Sequence, residues 1–205
     1  MTESEPIIFI VDDDETVRDS LGLLMKSVAL TSRLFASAGD FLAEYDPDCP
    51  GCLILDIRMP GMSGIELQQQ LIDMRSTLPI IFITGHGDIP TAVEAMQRGA
   101  ADFIAKTFRD NELLDCIYKA LEDDRKNRDM LVEREEVEIR IQKLTPREKQ
   151  VLELVVQGKA NKVIAGDLVV SKRTVEIHRA RVMEKMQSRS VAQLVRMVMQ
   201  IQKQS

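Results

Sequence analysis

Tryptophan is absent from this chain of 205 residues, aromatics make up only 4% of it, and it has two histidines and three cysteines. Each scarcity excludes something. Cys49, Cys52 and Cys116 are too few, and odd in number, for a disulfide framework. Cys49 and Cys52 do form a C-x-x-C, which reads either as a redox pair or half of a metal site, or as a turn leading into a strand. No second C-x-x-C or pair of histidines completes a zinc site, since the only histidines are His86 and His178. No apolar run reaches the roughly 18 residues of a membrane span. The opening MTESEP has no basic stretch followed by an apolar one, so no membrane contact is expected and the chain is read as cytoplasmic.

Positive charge is scarce in one part of the chain and plentiful in the other. Residues 1–125 carry 23 acidic and 10 basic side chains, a net of −13, and residues 126–205 carry 10 and 17, a net of +7. An acidic front and a basic rear predict two domains with different partners, nucleic acid being a natural one for the basic part.

In the front part, apolar runs at Ile7–Val11, Leu34–Ala36, Cys52–Leu55, Pro79–Ile83 and Asp102–Ala105 read as short strands. Helical patterns lie between and after them, at Glu15–Ser27, from Ser37, and at about 64–74, 89–98 and 110–124. Ser37-x-x-Asp40 resembles a capping box with Asp in place of Glu. Alternation at this rhythm predicts right-handed βαβ units and a doubly wound parallel sheet of five strands.

Such sheets bind ligands beyond the carboxyl ends of their strands. The first strand ends in Asp12-Asp13-Asp14, the third in Asp56, the fourth in Thr84-Gly85, and the fifth runs into Lys106. Taken singly, an Asp there is often a helix N-cap and a lone Lys a solvated charge. Converging on one rim, the carboxylates repel one another and demand a cation. Oxygen ligands without nearby His or Cys favour Mg²⁺. A hydroxyl and an ammonium opposite would suit phosphoryl oxygens.

VDDD at 11–14, LDIRMPGMSG at 55–64, ITGHGD at 83–88 and AKTF at 105–108 resemble the receiver domain of two-component response regulators, over about residues 6–124. The resemblance implies the flavodoxin-like (CheY-like) fold with strand order 2-1-3-4-5 and a phosphoryl group accepted on Asp56. It also implies Mg²⁺ held by Asp13, Asp56 and the backbone carbonyl of Arg58, with Asp12 acting through water. Thr84 and Lys106 would touch the phosphoryl oxygens, and Phe103 is the aromatic that repacks with Thr84. The chain departs from the receiver pattern at Thr107, where proline usually follows the lysine with a cis bond. A cis bond before a non-proline residue costs about 2.5–4 kcal/mol, so a trans 106–107 bond with Lys106 displaced or mobile is expected. His86, also on the rim, reads as a solvated loop histidine or as a general acid/base.

Residues 110–143 contain neither proline nor glycine, and 122–142 are dense in charge, so one long helix is expected, with 125–143 as a linker. Leu114, Leu121, Leu131 and Ile139 fall near heptad positions, which leaves a coiled-coil seam or a solvated spacer as the two readings.

From Leu144 the pattern is short helices. Thr145-Pro146-Arg147-Glu148 combines an N-cap, Pro at the first helical position and Glu at the third, and Gly158 ends that helix. A second follows near 160–168, Ser171 caps a third over Lys172–Met186, and Val191–Ile201 forms a fourth. On the third helix a 100° step puts Val175, Val182 and Met186 on a core side, with Arg173, Ile177, Ala180, Arg181 and Glu184 opposite. In a DNA major groove Ile177 would meet thymine methyls.

Residues 144–186 resemble the four-helix LuxR-type helix-turn-helix of FixJ-like and NarL-like regulators, a likeness reaching about Met199 and assigning 144–205 to an all-α DNA-binding domain. It implies a dimer reading inverted half-sites, with Lys172, Arg173, Thr174 and His178 near phosphates and Glu176, Ile177, Ala180 and Arg181 near bases. His178 has packing beside Val175 and Val182 as its other role. The whole reads as a response regulator: phosphorylated by a sensor histidine kinase, dimerising, binding promoter DNA and activating through RNA polymerase, and not an enzyme. A DNA binder with a receiver crippled at Lys106-Thr107 is the alternative. A phosphohydrolase would usually have a second Asp two residues after its nucleophile, where Arg58 stands.

Overall fold

The computed structural model describes residues 5–85 and 89–202, so His86 and the first four residues of MTESEP lie outside the described residues. The chain divides into two compact units, Met1–Arg128 and Asp129–Ser205. In the first, β1 (Ile7–Val11), β2 (Thr31–Phe35), β3 (Gly51–Asp56), β4 (Ile80–Thr84) and β5 (Asp102–Ala105) form one parallel sheet of order 2-1-3-4-5. The helices α1 (Glu15–Ser27), α2 (Ala38–Glu44), α3 (Gly64–Asp73) and α4 (Ile89–Gln97) alternate with the strands, and α5 (Asp110–Gln142) follows β5.

The central strands are apolar because both faces are covered. Phe9, Leu53, Leu55 and Phe82 pack on one side with Phe41 of α2 and Leu67 of α3. Ile8, Ile10, Ile54 and Ile81 pack on the other with Leu21 of α1 and Leu113 of α5. The sheet thereby disposes of the C-x-x-C: Cys52 is buried on the second side while Cys49 lies against the first, and burial drives the Cys52 thiol far up. No disulfide links them.

β2 begins three residues before its expected start. It is an edge strand, paired only with β1, so Thr31, Ser32 and Arg33 need no apolar face and an apolar-run criterion misses them. At Ser37 the shorter Asp40 side chain accepts from the serine hydroxyl at 2.7 Å, whereas the true capping boxes of α3 and of α6 (Pro146–Val156) use glutamates, Glu66 and Glu148.

The second unit comprises α6, α7 (Asn161–Asp167), α8 (Lys172–Lys185) and α9 (Val191–Gln202), packed round Val151, Ile164, Val175, Val182, Met186 and Leu194. Its core includes Val137, near the end of α5. The heptad positions along α5 do not share one environment. Leu114 and Leu121 pack into the first unit's core, and Leu131 and Ile139 are exposed. Nor is 122–142 simply solvated, because Asp124 is buried and Arg128 half-buried.

Two local features make predictions. Glu148 is buried and pairs with Lys185 at 2.7 Å. Lys185, with the Thr145 amide second, holds its carboxyl down at about 2 from 4.5. A depressed carboxyl stabilises the fold above the unfolded value and loses that contribution as pH falls from about 4.5 towards about 2. Denaturant unfolding at pH 7 and pH 3 is expected to show Glu148→Gln removing about 1–2 kcal/mol of this pH dependence, since Lys185 is partly open to solvent. Val169, between α7 and α8, sits at φ 54° and is 90% exposed. A β-branched residue is strained there, so Val169→Asn is expected to raise stability by about 1 kcal/mol in the same assay.

Candidate functional site

Strand register builds the rim. Val11 pairs with Leu55 and Asp56 with Ile83, so Asp12, Asp56 and Thr84 leave neighbouring strand ends together. Thr84 pairs with Ala105, which delivers Lys106 next, its amide donating to the Thr84 carbonyl at 2.6 Å. Asp12, Asp56 and Thr84 are all buried, while Asp13 is exposed.

One oxygen each from Asp12, Asp13 and Asp56 lie within 4.8 Å of one another. This all-oxygen donor set fits a hard divalent cation. Asp14 is the N-cap of α1, its side chain accepting from Thr16, and so stands apart from that set. The Asp14 amide in turn donates to Asp12 Oδ1 at 2.9 Å, and Arg18 donates to the Asp12 carbonyl at 2.8 Å. Arg18 escapes sequence reasoning because its donor reaches a backbone oxygen.

The expected displacement of Lys106 does not occur. The described residues contain no cis peptide bond, so 106–107 is trans, yet Lys106 Nζ lies 2.9 Å from Asp12 Oδ2 and 3.0 Å from Asp56 Oδ2. The reason is electrostatic: a long flexible stem follows two buried carboxylates wherever the backbone allows reach. Burial works against the ammonium charge, but the hydrogen bonds to Asp12 and Asp56 prevail and raise its pKa. Burial pushes the Asp56 carboxyl up, opposed by Lys106 and reinforced by Asp12.

Gly64, at the start of α3, is a site residue that sequence reasoning passed over. A Cβ there would stand 2.2 Å from the Asp56 carbonyl oxygen. Only glycine lets α3 approach the acceptor strand this closely, and a MSG triplet carries no signal of that contact. Phe103 is half-buried against the core beneath the rim.

In the second unit, Ser171 caps α8 by accepting from the Thr174 amide at 3.0 Å. Lys172, Arg173, Glu176, Ile177, Ala180 and Arg181 are exposed, and Ile177 keeps 48% of its surface open among these charges. Thr174 and His178 are half-buried; the Thr174 hydroxyl bonds Ser171, and the His178 Nδ1 is buried without a hydrogen-bond partner. Arg179, unmarked in the sequence, ties α8 to α7 through Asn161 at 2.7 Å.

Comparison with known proteins matches both parts. The family described as response regulator receiver domain fits residues 8–118, and the luxR family of bacterial regulatory proteins fits residues 142–198. Nodulation protein W of Bradyrhizobium diazoefficiens is 45% identical over 95% of this chain and 86% of its own. The transcriptional regulatory protein FixJ of Rhizobium meliloti is 46% identical over 94% of each. A solved structure of the response regulator StyR superposes with a TM-score of 0.83 and 44% identity, covering 96% of this chain and 99% of that one.

Proposed function

The chain belongs to the FixJ-like response regulators, two-component proteins with a LuxR-type domain that act on transcription, and on that premise we propose that Asp56 accepts a phosphoryl group from a sensor histidine kinase and so switches DNA binding. The observation that carries this is the setting of Asp56: a carboxylate at the end of a buried strand, faced by Lys106 and by two further carboxylates.

An oxygen of Asp56 attacks the phosphorus of a phosphohistidine. The bond from phosphorus to the imidazole nitrogen breaks with its electron pair staying on nitrogen, and an acyl phosphate forms. Lys106 turns its ammonium from carboxylate to phosphoryl oxygens, with the Thr84 hydroxyl beside it, and Phe103 repacks as Thr84 moves. Asp12, Asp13, Asp56 and the Arg58 carbonyl would hold Mg²⁺, which when bound offsets the negative charge gathered there. Each chain takes up one phosphoryl group as a signal, the role of a phosphoryl-accepting regulator rather than an ordinary enzyme.

Phosphorylated chains pair, and residues 144–205 of each read one of two inverted half-sites, activating through RNA polymerase. Residues 125–143 link them to the receiver at 1–124. Arg173, Arg181 and Ile177 offer the groove two guanidinium forks and an apolar contact, with Glu176 and Ala180 also facing bases and Lys172, Thr174 and His178 near phosphates. With Lys106 in place, the constitutive reading loses its basis.

A gel shift of the full chain with and without acetyl phosphate and Mg²⁺ tests the switch. Affinity is expected to rise roughly 5–150-fold with the donor, the usual range for coupled sites. Equal affinity in both lanes sinks it.

A further inference from the structure

The end of the acceptor strand opposite Asp56 holds an ionic junction, built on a buried carboxylate, that phosphoryl transfer does not use. β3 begins at Gly51, whose amide donates to Asp124 Oδ2 at 3.0 Å. Arg128 Nε donates to the same oxygen at 2.9 Å. The rest of its guanidinium spans three successive carbonyls: Nη1 to Asp48 at 3.0 Å, and Nη2 to Pro47 at 3.1 Å and Cys49 at 2.7 Å. Asp124 is 2% exposed. Asp124 and Arg128 lie one turn apart on α5, and Arg128 is the last residue of the first compact unit. The next buried residue along the helix is Val137, in the core of the second.

A planar guanidinium fork fits this set in one position only. If the helix slid or turned relative to β3, the Asp124 carboxylate, 2% exposed, would be left unpaired in low-dielectric surroundings, which is strongly unfavourable. The strand cannot yield instead. A Cβ on Gly51 would lie 1.9 Å from the Ile7 carbonyl oxygen, so the strand start is seated directly on β1. Helix and strand must move together or not at all.

We propose that Asp124 and Arg128 are positioning residues that make α5, as far as Arg128, one body with the acceptor strand, so that a change at Asp56 is carried along β3 into the helix leading to the DNA-binding unit. This rests on the switch reading above. Both residues lie at the end of β3 away from the acceptor, and they act through β3 and α5.

The test uses the full chain and the variants Arg128→Ala and Arg128→Lys, the second keeping the charge and guarding against loss of the fold. Phosphoryl uptake from acetyl phosphate is read by intact mass, and DNA affinity by gel shift with and without the donor. Uptake is expected to stay within about twofold of the parent chain, while the donor-dependent gain in affinity drops to about threefold or less in R128A and to an intermediate value in R128K, an ammonium being unable to bridge all four acceptors. A merely structural junction would lower the melting temperature of both protein forms and leave that ratio unchanged. An unchanged ratio with normal uptake therefore overturns the coupling alone. A parent chain whose affinity ignores the donor overturns the switch reading, and the coupling with it.

Discussion

Asp56→Asn is expected to abolish phosphoryl uptake and to make DNA affinity indifferent to the phosphodonor. An amide matches the carboxylate in shape but offers no anionic oxygen to attack phosphorus. The fold should tolerate the change. Burial already disfavours the charge at Asp56, and Lys106 keeps its second partner, Asp12, at 2.9 Å. Two measurements check this: mass after acetyl phosphate treatment, expected to show no added phosphoryl group, and the gel shift, expected to show the low affinity of the untreated chain in both lanes. A stoichiometric mass gain in the variant would move the acceptor elsewhere, Asp12 and Asp13 being the nearest carboxylates.

Gly64→Ala is expected to damage acceptor and fold at once. The new methyl would meet the Asp56 carbonyl oxygen at 2.2 Å, against backbone that cannot swing away as a side-chain end can. Overpacking of this kind typically costs about 1–3 kcal/mol. The displaced atoms belong to the acceptor residue itself, and a misplacement of roughly 1 Å at a reacting group can lower a rate about a hundredfold. The initial rate of phosphoryl uptake should therefore fall by at least about tenfold, at temperatures where circular dichroism shows the variant folded. Gly39→Ala is the control. Gly39 lies in α2 with its nearest neighbour at 3.7 Å, and alanine there should leave uptake unchanged and stability equal or slightly higher. Normal uptake in G64A would show that α3 can withdraw without disturbing Asp56.

Much of the fold was legible in advance for a local reason. Strand runs such as Ile7–Val11 and Cys52–Leu55 are continuous because both faces are buried, and a cap such as Thr145 with Glu148 acts within four residues. Short-range rules suffice for features made by short-range forces. The rim followed from the same logic once the strands were placed, since parallel order puts their carboxyl ends on one side. The misreadings share the opposite cause. Thr107 next in the chain predicts a displaced Lys106, but the attraction of Asp12 and Asp56, 94 and 50 residues away in sequence, overrides that local signal. Arg128 gives no local signal of its role because its partners at 47–49 lie about 80 residues off.

What the amino-acid order determined unaided was the succession of elements, the alternation that makes a parallel sheet, and which side chains would stand at the strand ends and on the outer face of α8. Only the tertiary structure decided which charges are answered and by what: Lys106 between two aspartates, Glu148 by Lys185, Asp124 by Arg128 and the Gly51 amide. It also decided where a methyl group has no room, at Gly51 and Gly64. The division is physical. Hydrophobic burial and capping are written in local periodicity, whereas a buried charge or a close backbone approach is defined by whatever distant segment the completed fold places beside it.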